Sequence, residues 1–81
     1  MDPRLTPLRS SPASLALGRA IRSAREAAGY TQQSFADRIG VGYRNYGSAE
    51  RGEYNRTVNT LVKVAAGLGL RLSELFARAG L

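Results

Sequence analysis

Eleven arginines and one lysine, Lys63, face six carboxylates in a chain of 81 residues that has no histidine and no cysteine. These are the side chains left for chemistry, and they narrow it. Without thiols or imidazoles there is no disulfide, no thiolate or imidazole metal site, and no Cys- or His-based catalysis. The acids Asp2, Glu26, Asp37, Glu50, Glu53 and Glu74 are scattered and pair with no nucleophile, so neither an enzyme nor a bound metal or cofactor is expected. Arginine's strength is binding polyanions, and a net charge of +6 with a pI near 10.8 suits a phosphate backbone. The charge is spread, however: +1 over residues 1–13, +2 over 14–28, +1 over 29–56 and +2 over 57–81. With no basic tail, any selectivity has to come from where individual arginines sit.

The elements that position them belong to one small domain, since a chain of this length is near the lower limit for a single core. Pro3, Pro7 and Pro12 crowd the start, so residues 1–13 are expected to be a flexible arm carrying Arg4 and Arg9, with the domain over residues 14–81. From Ser14 as N-cap, Leu17, Ala20, Ile21, Ala24 and Ala28 share one helical face that Gly29 closes. Thr31 caps a second helix with Phe35, Ala36 and Ile39 inward, ended by Gly40. A third segment, Y-R-N-Y-G-S-A-E-R, runs to Gly52. Thr57 caps a fourth, with Leu61, Val64, Ala65 and Leu68 inward, and Ser73 caps a short fifth presenting Leu75 and Phe76. No period-two run competes, so the class is all-α. The longest apolar run, Val64–Leu70, is far short of the ~20 residues of a membrane span. With no signal-like segment at the start, a soluble, cytoplasmic protein is expected.

Residues 31–52, T-Q-Q-S-F-A-D-R-I-G-V-G-Y-R-N-Y-G-S-A-E-R-G, describe two short helices packed through Phe35, Ala36, Ile39, Val41, Tyr46 and Ala49. Ala36 is small where they cross, and Gly40 can supply the positive φ of a tight turn. Together with I-R-S-A-R-E-A-A-G-Y-T-Q before it, and A-E-R-G-E-Y-N and L-V-K-V-A-A-G-L-G-L-R-L-S-E-L-F after it, this stretch resembles the helix-turn-helix DNA-binding domains of the phage lambda and 434 repressor type. The likeness covers residues 15–76 and implies a compact five-helix lambda-repressor-like domain that binds double-stranded DNA.

The resemblance also implies roles. Gln32 matches a glutamine that bonds a DNA phosphate and braces the recognition helix, and Thr31 sits beside it among the phosphate contacts. Tyr43, Arg44, Gly47 and Ser48 lie opposite Tyr46 and Ala49 and so would face the major groove. There Arg44 is either a fork on guanine O6 and N7 or a grip on phosphate. Tyr43 meets a thymine methyl or a phosphate, Asn45 flanks the face, and Gly47, at about 1 kcal/mol against Ala in a helix, either weakens it or clears the approach to DNA. Arg51, Asn55 and Arg56 match a backbone-contacting loop. Arg25 and Glu50 match an ion pair tying the first helix to the third. Tyr46, aromatic where the family is usually aliphatic, is balanced in volume by the small Ala49.

A domain of this size reads few base pairs, so a homodimer on a palindromic operator is expected. Leu70, Leu72, Leu75, Phe76 and Leu81 are candidates for its interface, Leu75 and Leu81 foremost. With only A-G-L after the fifth helix, a stand-alone domain resembles the controller proteins of restriction–modification systems and short phage or plasmid repressors. RNA polymerase would be a partner if it activates. The alternative is an antitoxin that neutralises a toxin and binds its own operon secondarily.

Overall fold

Pro12 opens the first helix rather than ending an arm. The computed structural model describes residues 11–53 and 57–81, and in it α1 spans Pro12–Ala27. Its N-cap is Ser11, whose Oγ accepts from the Ser14 amide at 3.1 Å. The expected cap at Ser14 is therefore corrected by three residues. Proline is well suited to N1, where its missing N–H would have had no partner and its φ is already helical. The greater part of the arm, residues 1–10, lies outside the described residues.

Four more helices follow: α2 Gln32–Ile39, α3 Tyr43–Glu50, α4 Val58–Gly67 and α5 Leu72–Arg78. Thr31 and Thr57 are the N-caps expected for α2 and α4. The last helix starts earlier than Ser73: Arg71 is its N-cap, and the Glu74 carboxylate accepts from the Arg71 amide at 3.0 Å. A carboxylate reaching back from the first turn takes the place of a capping hydroxyl and suits the positive end of the helix dipole. The all-α expectation holds, and no helix among the described residues is long and apolar enough to cross a membrane.

α1 packs on α3 and α5, α2 on α3 and α4, and α4 on α5. Between them lie Leu17, Ile21, Phe35, Ala36, Tyr46, Ala49, Leu61, Val64, Ala65 and Leu75, all buried. The ring of Phe35 is tilted against both Tyr30 and Tyr46, at centroid distances of 5.4 and 5.3 Å, a favourable arrangement for aromatic quadrupoles. The inward stripe of α1 is Leu17, Gly18, Ile21 and Arg25. Ala20 and Ala24 are half-buried at its margin, and Ala28, expected on this face, is exposed at the helix end.

Gly18 shows how close α1 and α3 come. A methyl group built there would lie 2.4 Å from the Glu50 carbonyl oxygen and 2.9 Å from that of Ala49. Two helix backbones touch at this point, and only glycine fits between them.

Candidate nucleic-acid interface

The turn between α2 and α3 is set by Gly40, which has φ 70° and ψ 31°. The Val41 amide donates back to the Ala36 carbonyl at 3.0 Å, and Gly42 is the N-cap of α3. α3 then turns Tyr46 and Ala49 fully inward and leaves Tyr43, Arg44 and Asn45 exposed with Ser48 half-exposed. Arg44 makes no hydrogen bond or ion pair among the described residues. A shallow groove on this side is lined by Gln32, Tyr43, Arg44, Asn45, Gly47, Ser48, Arg51 and Glu53.

Gly47 borders this groove but is buried. The covering atoms belong to Arg51, whose Nη1 would sit 3.0 Å from a methyl group at Gly47. The Arg51 guanidinium is itself paired with Glu53, Nε to Oε1 at 2.7 Å, and the hydrogen bond from that pair raises its pKa further. Arg51 therefore lies along α3 rather than out in the following loop. Asn55 and Arg56, expected beside it, lie outside the described residues.

What holds α3 in place is a buried carboxylate. Glu50 accepts from Arg25 twice, Nε at 2.5 Å and Nη2 at 3.1 Å, from Gln32 Nε2 at 2.9 Å and from the Tyr46 hydroxyl. Arg25 also donates through Nη1 to the Tyr30 carbonyl at 2.8 Å. One acid thus joins α1, α2 and α3. Burial alone would push its carboxyl pKa up, but the hydrogen bonds from Arg25, Tyr46 and Gln32 outweigh that and hold it below the ordinary range. Burial, then the bond to Glu50, pushes the Tyr46 phenol far above its ordinary value.

The Arg25–Glu50 pair is where the resemblance places it, and Gln32 braces the pair from α2. The Tyr46 hydroxyl is a member that the sequence alone does not reveal, since Tyr46 reads there only as core volume. The signal for it is spacing: Tyr46 and Glu50 stand four apart, on one side of a helix.

At the start of α2, Thr31 Oγ1 accepts from the Ser34 amide at 3.0 Å while Ser34 Oγ accepts from the Thr31 amide at the same distance, a reciprocal cap. Gln32 Oε1 accepts from the Tyr43 hydroxyl at 3.3 Å, so the Gln32 amide is held at both its nitrogen and its oxygen while one N–H of its NH2 group is not taken by these bonds. Thr31, Gln32 and Tyr43 border a second depression with Arg22 and Gln33. Thr31 is exposed, and Gln32 is half-buried.

A helix-turn-helix family model matches residues 21–75, the span from Ile21 in α1 to Leu75 in α5. The chain belongs to the helix-turn-helix family. Its members are DNA-binding transcription regulators rather than enzymes. This helix-turn-helix chain is 42% identical over 53 residues to the control protein C.MunI of a Mycoplasma species, covering 65% of this chain and 72% of the relative. Its fold superposes on the clp gene regulator ClgR of Corynebacterium glutamicum with a TM-score of 0.77 at 28% identity, covering 84% and 87% of the two chains. It also superposes on the restriction–modification controller protein C.AhdI of Aeromonas hydrophila with a TM-score of 0.75 at 28% identity, covering 80% of this chain and 98% of that one. The helix-turn-helix pair α2–α3 thus lies inside the matched span, with Arg44 on its outer face.

Among the residues expected at a dimer interface, Leu75 is corrected. It is 0% exposed within the single chain and belongs to the core. Short helices give it the same spacing as an outward residue, and packing against α1 and α4 decides. Leu70, Leu72 and Phe76 are half-buried against that core, while Leu81 is 57% exposed. Val58 and Val62, at i and i+4 on α4, are exposed as well and were not expected.

Proposed function

We propose that this helix-turn-helix regulator is a controller protein of the restriction–modification type, acting as a homodimer on a palindromic operator. The observation that carries the reading is the outer face of α3, where Arg44 stands exposed and unpaired among the described residues on a helix locked from behind by Glu50. A preorganised helix with a free guanidinium loses little order on docking, and a guanidinium can fork onto guanine O6 and N7. The identity to C.MunI and the superposition on C.AhdI support the restriction–modification setting.

Arg44 reads the base edge, with Tyr43, Asn45 and Ser48 flanking it and Gly47 between them on the same face. Thr31 and Gln32, at the amino end of α2, meet the phosphates, where backbone N–H groups and the helix dipole favour an anion. Asn55 and Arg56 extend these backbone contacts. The dimer forms through the exposed Leu81, Val58 and Val62 with the edges of Leu70, Leu72 and Phe76, and two α3 helices then reach successive major grooves about 34–36 Å apart.

Gel shift against the duplex upstream of its own gene tests this. A salt-sensitive complex tighter than on random duplex is expected, with a dimer's mass in sedimentation. Binding no tighter than to random DNA would sink the proposal.

A further inference from the structure

Two features of α3 belong together: a glycine near its centre and an ion pair just past its end. A methyl group at Gly47 would lie 3.0 Å from Nη1 and 3.9 Å from Cζ of Arg51, so the guanidinium fills the place where a larger residue would put its side chain. Arg51 keeps helical dihedrals, φ −74° and ψ −5°. Arg44, Gly47, Ser48 and Arg51 therefore stand at i, i+3, i+4 and i+7, on one face. Seven residues of helix rise about 10 Å, roughly three base-pair steps of DNA.

Glu53 restricts the guanidinium further. It takes the Nε–H at 2.7 Å and so orients the plane of the group, while the Arg51 side chain remains 59% exposed. The terminal nitrogens make no hydrogen bond among the described residues. A carboxylate this close to the guanidinium opposes a phosphate, which carries a full negative charge, far more than a base edge, which carries none.

We propose that Arg51 is a second base-reading residue of this surface, seated over Gly47 and oriented by Glu53 so that its terminal nitrogens meet a guanine edge in the major groove. The assignment rests on the reading of α3 as the recognition helix, and it moves Arg51 out of the backbone-contacting loop that the family resemblance implies for it. The role explains why a glycine stands inside α3: the helix gives up a side chain so that an arginine four residues on can lie flat along it.

Selection from a randomised duplex library by the full chain separates the two ideas. The wild type should enrich a consensus. Arg51→Lys keeps the charge but loses the fork, and should relax one base pair of that consensus by about fivefold to a hundredfold while leaving affinity for random duplex and its salt dependence unchanged. Gly47→Ala, which displaces the guanidinium, should relax the same base pair with the fold intact by circular dichroism. An Arg51→Lys protein that enriches the unaltered wild-type consensus overturns the proposal for Arg51 and leaves the recognition helix standing. A wild type that enriches no consensus overturns both.

Discussion

The Glu50 carboxylate is almost fully enclosed, with its side chain 3% exposed, and it receives four hydrogen bonds from three residues. A buried charge so satisfied does not by itself add much stability, but a partner removed leaves an uncompensated ion. Arg25→Ala should therefore cost about 3–5 kcal/mol in urea unfolding. Tyr46→Phe keeps the ring in its place against Phe35 and removes only the hydroxyl, so a smaller loss of about 1.5–3 kcal/mol is expected. Equal losses for the two would show that the carboxylate does not depend on arginine as its main partner. Arg44 is the opposite kind of residue, exposed and without a bonded partner among the described residues. Arg44→Ala should leave the unfolding midpoint within about 0.5 kcal/mol of wild type and cost about 1–3 kcal/mol of operator binding, with relaxed preference at one base pair. The ion pair was legible from the E-R-G stretch and its likeness to repressors. The hydroxyl's partner was not, because a side chain's bond inside a core depends on the rotamer its neighbours allow.

At the scale of the element, the same substitution should have opposite signs in two helices. Gly18→Ala adds a methyl group 2.4 Å from a backbone carbonyl of α3, so α1 and α3 have to separate, and a net loss of about 1–3 kcal/mol is expected despite the gain in helix propensity. Gly47→Ala meets only the end of a flexible side chain and should gain up to about 1 kcal/mol. Thermal unfolding of the two variants checks both signs, and a stabilised Gly18→Ala would contradict the close contact of α1 with α3. Helix existence and most helix ends were legible, since the apolar period, Thr31, Thr57 and the closing glycines are local signals. The starts of α1 and α5 were not. Ser11 with Pro12, and Arg71 with Glu74, compete with Ser14 and Ser73 for the same capping role, and the winner is set by where each helix docks.

For the whole molecule, Glu50 and Tyr46 each contribute a pH dependence to stability, of opposite sign. The Glu50 carboxyl is held below its ordinary 4.5 in the folded chain, so its contribution is present above about pH 4.5 and is lost as pH falls through the lower folded value. The Tyr46 phenol is raised from its ordinary 10.0, so its contribution is present below pH 10.0 and is lost as pH rises beyond it, where the unfolded chain ionises first. Urea midpoints measured across pH should fall at both ends, and Tyr46→Phe should abolish the Tyr46 share of the alkaline fall while also reducing the acid fall, because the Glu50 carboxyl loses one of the donors that hold it low. An unchanged alkaline fall in that variant would show that another group is responsible. The sequence by itself determined the helical class, the turn at Gly40 and the outward face of α3 with Arg44 on it, because periodicity and glycine punctuation act over a few residues. Only the tertiary structure decided that Leu75 is core while Leu81 is surface, that Tyr46 donates to a buried carboxylate, and that Arg51 lies over Gly47. Periodicity says which residues share a face; which face a neighbouring element then covers is set by contacts such as Arg25 with Glu50, which join distant parts of the chain.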